Sequence, residues 1–217
     1  MDVIKKYRPS TSSISSGQVL HYPYDFDKGR LIVREMTELL VLDLVRKNVV
    51  TKQIVLDIGY DRQSLEGKRG KKYTGPVTMD HYGRKIPKHT HGTGNIDHYT
   101  SSTQAIMEAT LSTYDRVVDK NLLIRRVNIA ACNLISEKEI PDDDYEQLDM
   151  FTDYVALEQE KKALQIAEEK ERRLQRVTLA IQEKFGKNAV LKGMNLIEGG
   201  TTIERNGQIG GHKAGDE

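Results

Sequence analysis

The sequence is poor in the residues that build large apolar cores. Its 217 residues include no tryptophan and only three phenylalanines, and hydrophobic residues make up 37% of the chain. Charged residues account for 30%, and the mean hydropathy is −0.58. A composition this polar predicts that part of the chain lies outside any single compact core.

Further absences concern the compartment and the chemistry. No apolar run is long enough for a membrane-spanning helix, and no basic-then-apolar segment precedes a cleavage site. The single cysteine, Cys132, cannot form a disulfide within the chain. The sequence also has no Walker loop, no nucleophile elbow and no CxxC or HExxH pattern. We therefore expect a reduced, cytoplasmic protein without a membrane partner.

Charge is distributed unevenly along the chain. Residues 1–135 carry 21 lysines and arginines against 14 aspartates and glutamates, a net charge of +7. Residues 136–217 carry 12 against 18, a net charge of −6. A basic part followed by an acidic part indicates two tasks, the first directed at nucleic acid or an anionic membrane. Chance segregation of solvated surface charge is the simpler alternative.

Hydrophobic periodicity predicts an α+β fold with the element order βαββαβ. Ile54, Leu56 and Ile58 share one face of an alternating segment, which is typical of a half-buried strand. Predicted strands span residues 13–20, 51–60, 85–102 and 122–135, and predicted helices span residues 27–47 and 102–120, the second capped by Ser102 or Thr103. We expect a four-stranded antiparallel sheet with both helices on one face and the other face open.

The flanking segments differ from this domain in composition. The predicted organisation is a basic linker at 1–12, the domain at 13–135, an acidic linker at 136–152, a helix at 153–186 and a glycine-rich tail at 187–217. The long helix has a thin apolar seam formed by Leu157, Leu164, Leu174, Val177, Ile181 and Phe185. Gly186 is placed to end that helix. Thr201 and Glu204 could form a capping box on a short helical turn.

Two basic clusters could bind phosphate. The connection between residues 62 and 88 holds eight lysines and arginines and two acidic residues, with Tyr73 and Tyr82 interleaved. Phosphates attract such a cluster, although a solvated loop would have the same composition. Arg125 and Arg126 open the last strand, where one side chain should reach the open face and the other a flank. This pair could bind phosphate or protect an edge strand from aggregation.

Three histidines, His89, His91 and His98, lie near one another in the sequence. A zinc site, as in a metal-dependent hydrolase, would need a further ligand that no motif supplies. Contacts to a nucleic-acid backbone are the favoured interpretation.

The acidic linker ends in the apolar string QLDMF, residues 147–151. A short apolar motif on a hydrated tether is typical of a peptide that docks in the pocket of a partner. The same residues could instead pack on the chain's own core or act as a staple for the following helix.

Residues 4–135 resemble the little finger domain of Y-family translesion DNA polymerases, and are most similar to the UmuC/DinB-like enzymes of Gram-positive bacteria. The similarity runs through IKKYRPSTSSISSGQVL, TGPVTMDHYGRKIPKHTHGTGNIDHYTSSTQAIMEA and YDRVVDKNLLIRRVNI. QLDMF resembles the bacterial sliding-clamp-binding motif QL[SD]LF, and the tail from Gln182 resembles the C-terminal extension of the same group.

The resemblance implies a C-terminal region of a translesion polymerase that serves DNA repair, damage tolerance and the SOS response. Such a domain would grip template–primer duplex through the backbone, with the open face of its sheet. The expected DNA-binding residues are Lys5, Lys6, Arg8, Ser15, Ser16, Gly17, Arg84, Lys85, Lys88, His89, His91, Arg125 and Arg126. The expected residues for binding the sliding clamp are Gln147, Leu148, Asp149, Met150 and Phe151. We expect a monomer.

The sequence departs from the family pattern in three ways. Met150 stands where the clamp motif usually has leucine, which implies weaker binding because methionine fills a pocket flexibly. The connection at residues 61–84 is longer than in the minimal domain. The palm, fingers and thumb are missing, and with them the family's magnesium-binding carboxylates, so we expect no catalytic residue and no cofactor in this chain. The alternatives are a stand-alone accessory protein that binds DNA and clamp, and a helix-mediated interaction protein.

Overall fold

Four long antiparallel strands form the framework of the fold. The computed structural model describes residues 12–66, 72–141, 154–209 and 212–213. The strands are β1 (Ile14–Tyr24), β2 (Val49–Tyr60), β3 (Val77–Met79), β4 (Lys85–Pro87), β5 (Thr90–Thr100), β6 (Ile124–Cys132), β7 (Ile135–Ser136), β8 (Gln208–Ile209) and β9 (His212–Lys213). The helices are α1 (Phe26–Lys47), α2 (Thr103–Val117), α3 (Tyr154–Phe185) and α4 (Thr202–Asn206).

The main sheet has the strand order β1-β6-β2-β5, with β7 paired to the start of β2. All of these pairings are antiparallel. The α+β class and the βαββαβ order are therefore confirmed, and β7 is an addition that the sequence analysis did not predict.

The core lies between the sheet and helices α1 and α2. Ile54, Leu56 and Ile58 of β2 are completely buried and pack with Ile32 and Leu40 of α1. The alternation of β2 thus predicted its buried face correctly, because side chains of a strand point to opposite faces in turn.

Local capping sets the ends of the first two helices. The Asp25 side chain accepts a hydrogen bond from the Lys28 backbone N–H at 2.9 Å, and α1 ends at Asn48 with a left-handed φ of 52°. Ser102 is the N-cap of α2 and accepts from the Ala105 N–H at 3.3 Å. This resolves the choice between Ser102 and Thr103.

The prediction of one strand over residues 85–102 is wrong. Residues 85–87 form β4, which pairs with β3 in a separate hairpin, and β5 begins at Thr90. The N–H of Lys88 continues the pairing with the β3 side by donating to the Pro76 carbonyl at 2.8 Å, so the pairing of this segment with β2 begins only at Thr90. The connection before it contains this hairpin and a short 3₁₀ turn at Arg62–Glu66.

The predicted long helix is present as α3, but among the described side chains of its predicted apolar seam only Ile181 is half-buried. Leu174 is 62% exposed and Val177 56% exposed, and Leu164 and Phe185 are exposed as well. The side chain of Leu157 lies outside the description. The face that packs on the domain is polar, and its Gln175 is only 7% exposed. The φ of Gly186 is +93°, and its N–H donates to Gln182, so this residue ends the helix as predicted.

The tail packs on α1 and β1. Glu35 of α1 is buried and accepts hydrogen bonds from Asn195 Nδ2 at 2.9 Å and from the Thr201 N–H at 2.7 Å. The predicted helical turn is present as α4, but the capping box is wrong, since the Thr201 side chain makes no capping bond. Its hydroxyl accepts instead from Gln18 Nε2 at 2.9 Å.

Among the described helices, none combines the length and the apolar composition that crossing a membrane requires.

Candidate nucleic-acid interface

The sheet face opposite α1 and α2 is lined by small and polar side chains, and we call it the open face. The register places Gly17, Asn128, Asp57 and His91 in one row across the four strands. The open face comprises Ser15, Gly17, Val19, Gln53, Val55, Asp57, Gly59, His91, Thr93, Asn95, Arg126, Asn128, Ala130 and Cys132. Because these short side chains leave the surface shallow, an extended polymer can approach the sheet closely.

Gly17 is needed for this row. A Cβ at position 17 would lie 2.4 Å from Oδ1 of Asn128, so the amide of Asn128 lies across the backbone of β1 only because residue 17 has no side chain. Nδ2 of Asn128 in turn lies 3.5 Å from Oδ1 of Asp57.

Asp57 is a residue of this surface that the sequence analysis did not single out. Its carboxylate lies 3.3 Å from Nη2 of Arg126 and 3.7 Å from Nε2 of His89. A lone carboxylate would repel phosphate, but here it holds the Arg126 guanidinium on the open face and lies beside the His89 imidazole. The sequence feature that could have identified it is an acidic residue at an outward position of an alternating strand.

The two adjacent arginines point in different directions, as the sequence analysis predicted. Arg126 lies on the open face beside Asp57. Arg125 lies on a flank, where its Nη1 donates to the carbonyl of His21 at 2.7 Å and its Nε is 3.8 Å from Asp61. The pair therefore connects the open face to the neighbouring edge of the sheet.

A cleft with a volume of about 740 Å³ lies at that edge, between the β3–β4 hairpin and the end of β1. We call it the hairpin cleft. Its charged and aromatic lining residues are His21, Tyr22, Tyr60, Asp61, Arg62, Asp80, His81, Tyr82, Arg84, His89, Arg125 and Arg126. Four predicted DNA-binding residues (Arg84, His89, Arg125 and Arg126) thus meet at one site.

The turn of the hairpin is held by Asp80. Its Oδ1 accepts from the backbone N–H groups of Tyr82 at 2.9 Å and Arg84 at 2.8 Å, and its Oδ2 accepts from Arg84 Nε at 2.7 Å. The bond from the Arg84 backbone is the main cause that lowers the pKa of Asp80 below its ordinary value. Gly83 takes the φ of +73° that the tight turn requires. The guanidinium of Arg84 lies 5.0 Å from the centre of the Tyr82 ring.

The remaining predicted residues are spread more widely. Ser15 and Gly17 lie on the open face, whereas Ser16 accepts a hydrogen bond from Arg205 of the tail at 2.7 Å. Lys85 is exposed on β4, Lys88 is exposed in the following turn, and His91 is exposed on the open face. The predicted residues Lys5, Lys6, Arg8, Gln147, Leu148, Asp149, Met150 and Phe151 lie outside the described residues.

Unlike the other two histidines of its segment, His98 contacts helix α3. Its Nε2 lies 2.9 Å from Glu168 of α3, and this hydrogen bond is the main cause that raises the pKa of His98. Within residues 12–66, 72–141, 154–209 and 212–213, no group of three or more histidine, cysteine or acidic side chains is placed to hold a metal ion.

Comparison with known proteins relates the chain to a family and to a curated protein. Residues 11–150 match the family model described as the impB/mucB/samB family C-terminal domain. The chain is also similar to the putative UV-damage repair protein UvrX of Bacillus subtilis (strain 168), with 24% identity over 202 residues. That alignment covers 87% of this chain but 39% of the relative, so the chain spans well under half the length of the curated relative it matches.

The family match extends over most of the architecture described above. Residues 11–150 include the four long strands, α1, α2 and the β3–β4 hairpin, and therefore both the open face and the hairpin cleft. The chain belongs to the impB/mucB/samB family and represents its C-terminal domain, a C-terminal region of the Y-family DNA polymerase type.

Proposed function

We propose that this chain is the DNA-gripping and clamp-tethering part of a translesion DNA polymerase that acts in damage repair. The observation that carries the proposal is the open face, where Asp57 holds Arg126 and lies beside His89 among small polar side chains. The nucleotide-transfer chemistry would belong to a palm domain, with its magnesium ions, and this chain would supply position and affinity.

The composition of the open face suits the backbone of a duplex better than its bases. Asn128, Asn95 and Thr93 have short side chains that can reach phosphate and sugar oxygens, whereas the arginines lie towards one end. Phosphate contacts fix orientation and carry no sequence information. We therefore expect binding that depends on salt and discriminates little between sequences, as a polymerase that moves along DNA requires.

The second attachment is the segment Gln147–Phe151. Its apolar residues would enter the hydrophobic pocket of a sliding clamp, with Gln147 setting the register by hydrogen bonds. Phe151 precedes the first residue of α3 by three positions. Two weak attachments joined by a short linker raise the effective concentration of each site without tight binding by either one.

DNA binding is tested by fluorescence anisotropy with a template–primer duplex. The Arg125→Ala/Arg126→Ala double variant should bind roughly tenfold more weakly, and its salt dependence should become shallower by about two phosphate contacts. Arg173→Ala is the matched control, because that side chain is exposed on α3 away from the sheet. Equal affinity of the double variant and the wild type would rule out this end of the open face and its flank as the DNA site.

Clamp binding is tested separately, with purified sliding clamp and no DNA. The wild type should bind with a Kd on the order of micromolar, as expected for a short peptide with few anchoring residues. A Gln147→Ala/Leu148→Ala/Phe151→Ala variant should lose this binding and keep its affinity for DNA. If the wild type does not bind the clamp, the tethering part of the proposal fails while the DNA-binding part stands.

A further inference from the structure

We propose that the hairpin cleft holds an unpaired stretch of nucleic acid that continues from a duplex on the open face. Bases would stack on Tyr22 and Tyr82, and phosphates would pair with the arginines of the cleft. The inference deepens the proposed function and rests on it for the duplex, but it assigns a distinct ligand to a distinct site.

The two tyrosines are the first observation. Tyr22 is 75% exposed and Tyr82 is 78% exposed, and both line the cleft. By contrast, Tyr60 at the wall of the cleft and Tyr114 in the core are buried, and their hydroxyls are hydrogen-bonded. An aromatic ring that is mostly left in water on a cationic wall buries little area in its own fold, and it offers a face on which a base can stack.

Local structure holds the backbone that carries both rings. The hydrogen bonds of Asp80 fix the turn that carries Tyr82, and Arg84 lies against that ring. Tyr22 lies in the part of β1 where the pairing with β6 shifts register, between Val19 and Tyr24. That irregularity turns the end of β1 towards the cleft, and Arg125 holds it through the His21 carbonyl. A ring that is already positioned loses less conformational freedom when a base binds.

The charges of the cleft favour a polyanion. Four arginines (Arg62, Arg84, Arg125 and Arg126) line it against Asp61 and Asp80, with Asp57 of the open face beside Arg126, so cationic side chains are in excess. Arginine forms forked hydrogen bonds with phosphate and also stacks on planar rings. The combination of arginine and exposed tyrosine is the one that binds single strands with little sequence preference.

The size of the cleft favours a single strand over a duplex as its ligand. A volume of about 740 Å³ lies within the range of pockets for small ligands, which suits one or two nucleotides and is too small for a double helix. In a duplex, moreover, the faces of the bases are already stacked on each other. Because Arg126 belongs to both the open face and the cleft, an unpaired strand can pass from one to the other.

The test compares two DNA probes on the full chain, a blunt duplex and the same duplex with an unpaired 5′ overhang. The wild type should bind the overhang probe roughly tenfold more tightly, the size expected for a base stacked on an aromatic side chain. The Tyr22→Ala/Tyr82→Ala variant should lose this preference and keep its affinity for blunt duplex. The Tyr22→Phe/Tyr82→Phe variant should retain it, because stacking needs the ring and not the hydroxyl.

Tyr99→Ala is the control for loss of a ring elsewhere, since Tyr99 lies at the far end of the sheet beside Lys52. A second readout is an overhang that contains the fluorescent base 2-aminopurine, which should be quenched by the wild type and by the phenylalanine variant only. Both tyrosines are exposed, so circular dichroism should show that each variant is folded.

The outcomes separate the two proposals. If blunt duplex binds but the overhang gives no gain, or if the alanine variant keeps the gain and the quenching, the cleft does not hold an unpaired strand. If blunt duplex does not bind but the overhang does, the duplex-gripping function fails and the cleft assignment stands. If neither probe binds, both proposals are overturned.

Discussion

Helices α1 and α3 pack on the same domain through opposite chemistries. Helix α1 buries Ile32, Leu40 and Leu44 against the sheet, and its buried Glu35 binds the tail rather than the sheet. Helix α3 buries Gln175, whose Nε2 donates to the Ser101 carbonyl at 3.0 Å, and leaves Leu174 and Val177 in solvent. Helix α1 is held mainly by apolar burial, and α3, where Leu179 and Ile181 are half-buried, is held mainly by hydrogen bonds and ion pairs.

The two contacts differ in how strongly they depend on pH and salt. Burial of apolar surface changes little with pH or salt near neutrality, whereas a hydrogen bond contributes about 0.5–1.5 kcal/mol net and an ion pair depends on the protonation of both partners. We therefore expect the sheet with α1 and α2 to remain folded under conditions that release α3. Since Phe151 lies just before α3, such release would also change the reach of the segment proposed to bind the clamp.

The largest effect should come from the apolar contact. Ile54→Ala removes a completely buried side chain from β2 and should destabilise the whole domain by about 2–5 kcal/mol, because it leaves a cavity under α1. Denaturant unfolding followed by circular dichroism measures this loss. A change below about 1 kcal/mol would mean that the core adapts to the gap, and the contrast between the two helices would weaken.

A smaller and more local effect should follow from Glu171→Ala. The Glu171 carboxylate accepts from the Ser102 hydroxyl at 2.7 Å and from the Thr103 N–H at 2.8 Å, so α3 neutralises the N-terminal end of α2. We expect the free energy of unfolding to fall by about 1 kcal/mol, and amide exchange to accelerate more in α3 than in β2. Glu169→Ala, which removes an exposed carboxylate 3.6 Å from Arg173, is the matched control and should change neither quantity. If amide exchange accelerated equally in α3 and β2, the docking of α3 would not be stabilised separately from the sheet.

The pH dependence should follow from His98 and Glu168. The pKa of His98 is raised, so its contribution to α3 docking is complete below the ordinary value of about 6.5 and is lost as pH rises through the raised pKa. Burial opposes ionisation of Glu168, but hydrogen bonds from His98 and Thr100 outweigh it and lower its pKa. The contribution of Glu168 is therefore lost only as pH falls through that lowered value.

The docking of α3 should accordingly weaken between mildly acidic and mildly alkaline solution. Limited proteolysis of α3 as a function of pH measures this, and His98→Gln should make the profile flat over that range while β2 stays protected. A profile that the substitution leaves unchanged would show that another group controls the docking.

The smallest effect should come from Leu174→Ala. The side chain is exposed on α3, so its removal should change the free energy of unfolding by less than about 0.5 kcal/mol. Denaturant unfolding under the conditions used for Ile54→Ala gives the comparison. If the free energy of unfolding fell as much as for a core substitution, this face of α3 would be packed in solution. The helix would then be held by apolar contacts, like α1.

The sequence was informative where structure depends on neighbouring residues. The alternation of β2, the cap at Ser102, the end of α3 at Gly186 and the opposite directions of Arg125 and Arg126 all follow from spacing along one element. These features place the open face correctly.

The features that were missed depend on contacts distant in sequence. Within α3 alone, Glu171 only interrupts an apolar seam. Its partner is the N-terminal end of α2, where its carboxylate accepts from the Thr103 N–H, 68 residues earlier in the sequence. Asp57 becomes part of the site only once the register brings Arg126 and His89 to it. The hairpin cleft requires the split at Pro87, which a run of polar residues conceals.

The central claim is that the open face contacts duplex DNA, and the single cysteine tests it most directly. Cys132 lies on that face opposite Gln53, and burial raises the pKa of its thiol, so alkylation is slow enough to time. Saturating template–primer duplex should slow maleimide labelling of Cys132. It should leave labelling of a Cys132→Ser/Glu108→Cys variant unchanged, because Glu108 is exposed on α2, across the sheet. Unchanged labelling of Cys132, or protection at position 108 instead, would contradict the account.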